Sequence, residues 1–182
     1  MEIMNLKKKF IEIYGGSEEE LRVFASPGRV NLIGEHTDYN GGYVLPAALT
    51  MTSTVIARPR KDRIINLMAT DLNRLVEANL DQLEKYKGLE WGNYQLGVAD
   101  ELQKAGYKLC GCDLLYHHTV PIGSGLSSSA AIQIVTAIAL VTMGNEINGD
   151  KEKIDMVEIA KIAQKSEHNY VGVKCGIMDQ FS

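Results

Sequence analysis

Three observations predict an α+β domain. Short β-rich runs punctuated by Gly, Pro, Asn and Asp fill the first half of the chain. Two long helical stretches, one apolar and one amphipathic, fill the second half. The elements do not alternate as regular βαβ units, which disfavours a doubly wound sheet.

In chain order, Leu6, Phe10 and Ile13 recur at helical spacing between Asn5 and Tyr14, with Lys7, Lys8 and Lys9 on the solvated face. Gly15 and Gly16 end that helix. Strands are expected over 22–25, 30–33, 43–45, 51–58, 63–69 and 75–80, and the clearest turn is Asp38 to Gly42. A helix over 94–105 carries Leu96, Val98, Ala99 and Leu102 and stops at Gly106, where glycine can take a left-handed cap. A strand over 112–120, a glycine-serine loop, an apolar helix over 128–143 and an amphipathic helix over 151–170 complete the chain. No repeat or linker divides it, so one domain over 1–182 is the simplest organisation.

With 182 residues and 45% hydrophobic content, the chain can bury a core of ordinary size. A net charge of -4 and a pI near 5.6 supply no positive field for nucleic acid, which points to a small-molecule partner. The charged N-terminus has no apolar signal core. The apolar stretch over 130–143, interrupted by Gln133, Thr136 and Thr142, is shorter than the ~20 residues that span a bilayer. A cytoplasmic protein that makes no membrane contact is the expectation. Cys110, Cys112 and Cys175 are odd in number and read as reduced thiols.

Four segments carry chemistry. Gly123, Ser124, Gly125, Leu126, Ser127, Ser128 and Ser129 place flexible backbone and hydroxyls at a helix N-terminus, where unpaired amides and the helix dipole favour phosphate. An ordinary serine-capped loop is the alternative. The segment lacks the lysine of a Walker A loop, the third glycine of a dinucleotide fingerprint and the final glycine of a hydrolase elbow. A phosphate cradle without its own lysine leaves magnesium to neutralise charge.

Glu167 is the second. It falls inside the apolar stripe of Ile159, Ala160 and Ala163, where an acid is costly unless it meets a cation or donors, or escapes at the helix end. The third, Gly172 to Gln180, offers Asp179 beside glycines that admit a ligand, or else a capped turn. The fourth, Gly34 to Asn40, concentrates Glu35, His36, Thr37 and Asp38, a set suited to sugar hydroxyls. A solvated turn is its alternative, and a metal site on Glu35, His36 and Asp38 is the less favoured use, because adjacent residues in a strand point to opposite faces.

Ser26 to Asn40, Pro121 to Ala130 and Gly172 to Gln180 together closely resemble the galactokinase members of the GHMP small-molecule kinases, with Trp91-Gly-Asn-Tyr94 between them. The resemblance covers essentially the whole chain. It implies a GHMP-kinase N-terminal lobe (ribosomal protein S5 domain 2-like), a mixed β-sheet with packed helices. It implies ATP-dependent phosphorylation of galactose at the anomeric hydroxyl. In that scheme Glu35, His36, Thr37 and Asp38 bind the sugar, Asp179 takes the hydroxyl proton, and Arg29 offsets negative charge in transit. Gly123 to Ser129 would cradle the phosphates of ATP, Ser129 and Glu167 would hold Mg2+, and Trp91 and Thr70 would contact the nucleotide. Galactokinases are about twice as long, so the resemblance implies that the C-terminal lobe is absent, that the chain alone is inactive, and that exposed apolar surface favours self-association. A kinase for N-acetylgalactosamine or arabinose, a non-catalytic sugar and ATP sensor, and a zinc module on Cys110, Cys112, His117 and His118 are the competing readings.

Overall fold

The computed structural model describes all residues except Met1, Asn73, Glu90, Ile122 and Glu152. Five strands form one sheet in the order β1-β2-β5-β3-β4. They are β1 (Arg22–Asn31), β2 (Pro46–Pro59), β3 (Ile64–Ala69), β4 (Leu75–Asn79) and β5 (Cys112–His118). The β1/β2, β2/β5 and β3/β4 pairs are antiparallel, whereas β3 and β5 run parallel, which makes the sheet mixed.

The two-residue period of the strands divides the core between the faces of the sheet. Ile56 and Leu115 point to one face and meet Leu6 and Phe10 of α1 (Ile3–Tyr14). Val55, Ala57, Leu114 and Tyr116 point to the other, where α2 (Gly92–Lys104), α3 (Ser128–Asn148) and α4 (Met156–Ser166) pack. Each such fully buried Leu, Ile or Phe contributes about 1.5–3 kcal/mol. The predicted α+β class describes this arrangement.

Several boundaries differ from expectation. The predicted strands over 22–25 and 30–33 are one strand, β1, ending at Asn31. Pro27 does not break it because β1 is an edge strand, where a missing N–H is tolerated, and a bulge between Pro27 and Arg29 absorbs the irregularity. The strand expected over 43–45 does not form. Tyr43 is 96% exposed and has no surface to pack on, and packing is what strand propensity reflects. Asn79 closes β4 and caps a 3-10 segment, Leu80–Tyr86, by accepting from the Asp81 amide at 2.8 Å.

Two helices also differ from expectation in their bounds. The amphipathic helix starts at Met156, where Asp155 accepts from the Val157 and Glu158 amides, and widens into a π-turn over Glu167–Val171. α3 runs to Asn148, so its 21 residues are long and apolar enough to cross a bilayer, correcting the shorter reading. Two-thirds of its apolar window is buried in the domain core, the setting of a central packing helix.

Candidate active site

The glycine-serine loop leaves the end of β5 and enters α3. Gly123, Gly125 and Ser127 all have positive φ, at 71°, 73° and 59°. Left-handed residues at alternate positions are the backbone pattern from which anion-binding nests are built. Ser127, at the α3 N-cap, holds a buried hydroxyl oxygen with no partner among the described residues. Ser128 and Ser129 open the helix, half-buried, with no acidic residue in the first turn to oppose an anion. Ser124 donates to the Pro121 carbonyl at 2.7 Å, and the Leu126 carbonyl accepts from the Arg29 amide at 3.1 Å.

That last bond seats the loop on the β1 bulge. Gly28 is required there, because a Cβ would lie 2.8 Å from the Leu126 carbonyl oxygen. The bulge also aims Arg29. Its Nε and Nη2 donate to Asp179 Oδ1 at 2.9 and 2.5 Å, and its Nη1 donates to the Gly125 carbonyl at 2.5 Å. Arg29 thus joins the loop to Asp179 across 150 residues of chain.

Asp179 lies on α5 (Met178–Phe181), and the first residue of that helix is tied to the polar cluster. Asp38 accepts from the Met178 amide at 3.2 Å, and a Cβ on Gly176 would collide with the Asp38 carboxylate. Arg29, Glu35, His36, Asp38 and Asp179 line one cleft of ≈ 890 Å³. Its volume and its few converging polar groups suit a small ligand.

Glu35, His36 and Asp38 occupy a turn and a short 3-10 segment rather than a strand, so strand alternation does not separate their side chains. Among the described residues, however, no group of three His, Cys, Asp or Glu side chains is arranged to hold a metal ion. Asn31 donates to Glu35 at 2.9 Å, and His36, at φ 61°, has Nδ1 against the Tyr39 hydroxyl. Thr37 does not line the cleft. Its hydroxyl lies 2.7 Å from the carbonyls of both Gly34 and Tyr43, which fixes the turn.

Glu167 is 5% exposed, and among the described residues no Lys, Arg or His forms a salt bridge with it. Its charge is felt by its neighbours. Burial first and the Glu167 carboxylate second push the Cys175 thiol up to about 12, and the same two causes raise Tyr94. Ser129 lies on the face of α3 that meets this region, because Gln133, one turn on, approaches the Ser166 hydroxyl at 3.5 Å.

Trp91 packs edge-on against Tyr116, with centroids 6.5 Å apart, and its buried Nε1 has no partner among the described residues. It lines a separate cavity of ≈ 450 Å³ with Leu75, Val76 and Leu89. Thr70 follows β3 and has its hydroxyl 2.9 Å from His117 Nδ1. Because β3 and β5 are parallel, Thr70 sits at the sheet end from which the glycine-serine loop departs.

Of the four zinc-module candidates, Cys110 precedes β5 and Cys112, His117 and His118 lie along it. Cys112 and His118 stand at its opposite ends, ~20 Å apart at the usual rise per residue. The cleft also includes Tyr39, His168, Asn169, Lys174 and Cys175, which sequence reasoning did not assign to the site. His168 directly follows Glu167, but a regular helix would turn it away. The π-turn brings its Nε2 to 3.0 Å from the Cys175 carbonyl, which also accepts from Gln164 at 3.2 Å.

A mixed sheet with packed helices, and a glycine-serine loop leading into a buried helix beside an arginine-carboxylate pair, is the architecture of the N-terminal domain of a GHMP small-molecule kinase. The family model described as "GHMP kinases N terminal domain" matches residues 93–182, and the galactokinase galactose-binding signature matches residues 8–59. The chain belongs to the galactokinase family of GHMP kinases. It is 47% identical to the galactokinase of Clostridium tetani over 182 residues, which is 100% of this chain and 45% of that protein. The crystal structure of Lactococcus lactis galactokinase complexed with galactose superposes with a TM-score of 0.88 at 40% identity, covering 98% of this chain and 45% of that one. Methanococcus jannaschii mevalonate kinase shares the fold, with a TM-score of 0.72 at 25% identity over 90% of this chain and 51% of its own. The chain spans about half the length of the relatives it matches.

Proposed function

We propose that the whole protein transfers the γ-phosphoryl group of ATP to the anomeric hydroxyl of galactose, and that residues 1–182 form the lobe that binds the sugar and the nucleotide phosphates. The observation that carries this reading is the double contact of Arg29, which reaches both Asp179 and the Gly125 carbonyl. One cation thereby ties the candidate proton acceptor to the candidate phosphate loop, which supports the alignment of nucleophile and phosphoryl group that in-line transfer needs.

In this reading Glu35, His36 and Asp38 hydrogen-bond the ring hydroxyls, and Thr37 holds their turn. Asp179 takes the proton of the O1 hydroxyl. Arg29 balances charge on the transferring group. The loose transition state asks little of the nucleophile, so the placement of Asp179 by Arg29 and Asp38 matters more than its basicity. Gly123 to Ser129 hold the phosphates, while Trp91 and Thr70 lie toward the nucleoside.

The oxygens of Ser129 and Glu167 suit a hard divalent cation, and a buried acid without a salt-bridge partner fits such a role. When bound, Mg2+ supplies neutralisation of the phosphate charge. Free thiols at all three cysteines fit a cytoplasmic setting. Leu32, Ile33, Tyr43 and Leu45 are all more than half exposed and would support self-association of this portion alone, which light scattering reads.

The test is ATP consumption by the whole protein over a panel of sugars. Turnover highest with galactose supports the proposal. Turnover only with N-acetylgalactosamine or arabinose reassigns the substrate, and binding of galactose and ATP with no turnover indicates a sensor.

A further inference from the structure

We propose that Cys110 and Cys112 form a dithiol that a hydroperoxide converts to an intramolecular disulfide, making the start of β5 a redox-modification site separate from the phosphoryl-transfer cleft. The two Sγ atoms are 4.0 Å apart, and both side chains enter the same core cluster on the helical face of the sheet. Side-chain rotation alone has to bring them to the ~2.05 Å of a disulfide.

The residue between them is fixed. The Gly111 amide donates to the Asp62 carbonyl at 2.9 Å, and its carbonyl accepts from the Arg60 amide at 2.7 Å. A Cβ at 111 would lie 2.6 Å from both Asp62 Oδ1 and the Ile64 carbonyl oxygen. Held in this way, the backbone cannot swing the thiols apart.

The environment assigns the roles. Cys110 keeps 7% of its surface exposed whereas Cys112 keeps none, so a small oxidant meets Cys110 first. A hydrogen bond from the Cys112 thiol lowers the pKa of Cys110, with help from the Arg63 charge, and Cys112 is raised in turn by that bond and by burial. Arg63 is anchored close by through Nη1 to the Leu109 carbonyl at 2.6 Å.

The Cys110 thiolate attacks one oxygen of hydrogen peroxide, the S–O bond forms as the O–O bond breaks, Cys110 becomes a sulfenic acid, and the displaced hydroxide takes up the proton that the Cys110 thiol had released, giving water. The Cys112 sulfur then attacks the sulfenic sulfur, the S–S bond forms, and the hydroxyl departs with the Cys112 proton as a second water. Two thiols are oxidised and one peroxide is reduced. Cys175, whose thiol is raised to about 12, is the poorer nucleophile and lies in the cleft.

The experiment treats the native chain with graded hydrogen peroxide, quenches, denatures, alkylates and maps unreduced peptides by mass. The expected result is a peptide in which Cys110 and Cys112 lack two hydrogens and take up no alkyl group until reduced, formed at a dose that spares Cys175. With Cys112→Ser, Cys110 should be captured as a sulfenic acid by dimedone. With Cys110→Ser, Cys112 should stay alkylatable. Circular dichroism checks both variants, and the wild-type map decides by itself if either fails to fold. Full alkylation of both thiols at a dose that oxidises Cys175, or a crosslink to Cys175 instead, overturns the proposal.

Discussion

Arg29 donates through Nε and Nη2 to a single oxygen of Asp179, at 2.9 and 2.5 Å, leaving the second carboxylate oxygen out of the pair. The side chains keep 13% and 27% of their surface exposed, so the contact sits at the wall of the cleft and its outer side is open to a ligand. One oxygen is oriented by the arginine, and in the proposed reaction the other would accept the substrate proton.

Asp179→Asn keeps the shape and removes the acceptor. Turnover of the whole protein is expected to fall by at least ~10²-fold while galactose affinity by calorimetry stays within a few-fold. Retained turnover would remove Asp179 from the reaction.

Glu167→Gln separates a ligand-binding acid from a structural one. Loss of a buried charge that has no salt-bridge partner should raise the melting temperature of the ligand-free chain by about 2–4 °C. The same change should weaken magnesium-dependent ATP binding. An unchanged magnesium titration would exclude the metal role.

Gly28→Ala forces a methyl group to within 2.8 Å of the Leu126 carbonyl oxygen and 3.1 Å of Val120. The loop must move, at a cost of about 1–3 kcal/mol in a denaturant titration, and nucleotide affinity should fall more than sugar affinity. Equal loss of both would argue that the loop does not act through phosphate.

Asp113, 1% exposed, accepts from Arg58 at 2.7 Å, Arg60 at 2.9 Å and Asn66 at 2.8 Å. Asp113→Ala leaves those donors facing an empty site. The expected destabilisation is about 3 kcal/mol, the low end for breaking a buried pair, because Arg60 is partly exposed and can reach water. Guanidinium unfolding measures it.

Burial first, and the neighbouring His117 among the charges, lower the pKa of His118, whereas Asp71 opposes the shift. The unfolded chain therefore binds more protons than the folded one just below the usual histidine pKa. The stability this contributes is present above ~6.5 and is lost as pH falls through the depressed folded value. Unfolding midpoints should drop between pH 7.5 and 5, and His118→Gln should flatten that slope. An unaltered slope would place the effect elsewhere.

Periodicity made the parts of the fold that bury one face legible. Leu6 and Phe10 announced α1, and Glu167 stood out because an acid interrupted an apolar stripe that proved to be buried. Elements decided by tertiary surroundings were not legible. Nothing local told that Pro27 would lie on an edge strand, that Tyr43 would lack a packing surface, or that α4 would widen at Glu167 and carry His168 toward Cys175. The Arg29 to Asp179 contact joins positions 150 residues apart, a separation that no pattern in one sequence encodes. The residue types of the site could be read, whereas their convergence belongs to the β1 bulge and the Asp38 tie to α5.

A crystal structure of the whole protein with galactose and a non-hydrolysable ATP analogue tests the central claim most directly. The account predicts the sugar O1 within ~3 Å of Asp179, with the terminal phosphate between Arg29 and the Gly123 to Ser129 nest. A sugar bound away from Asp179, or a nucleotide whose phosphates avoid that nest, would contradict it.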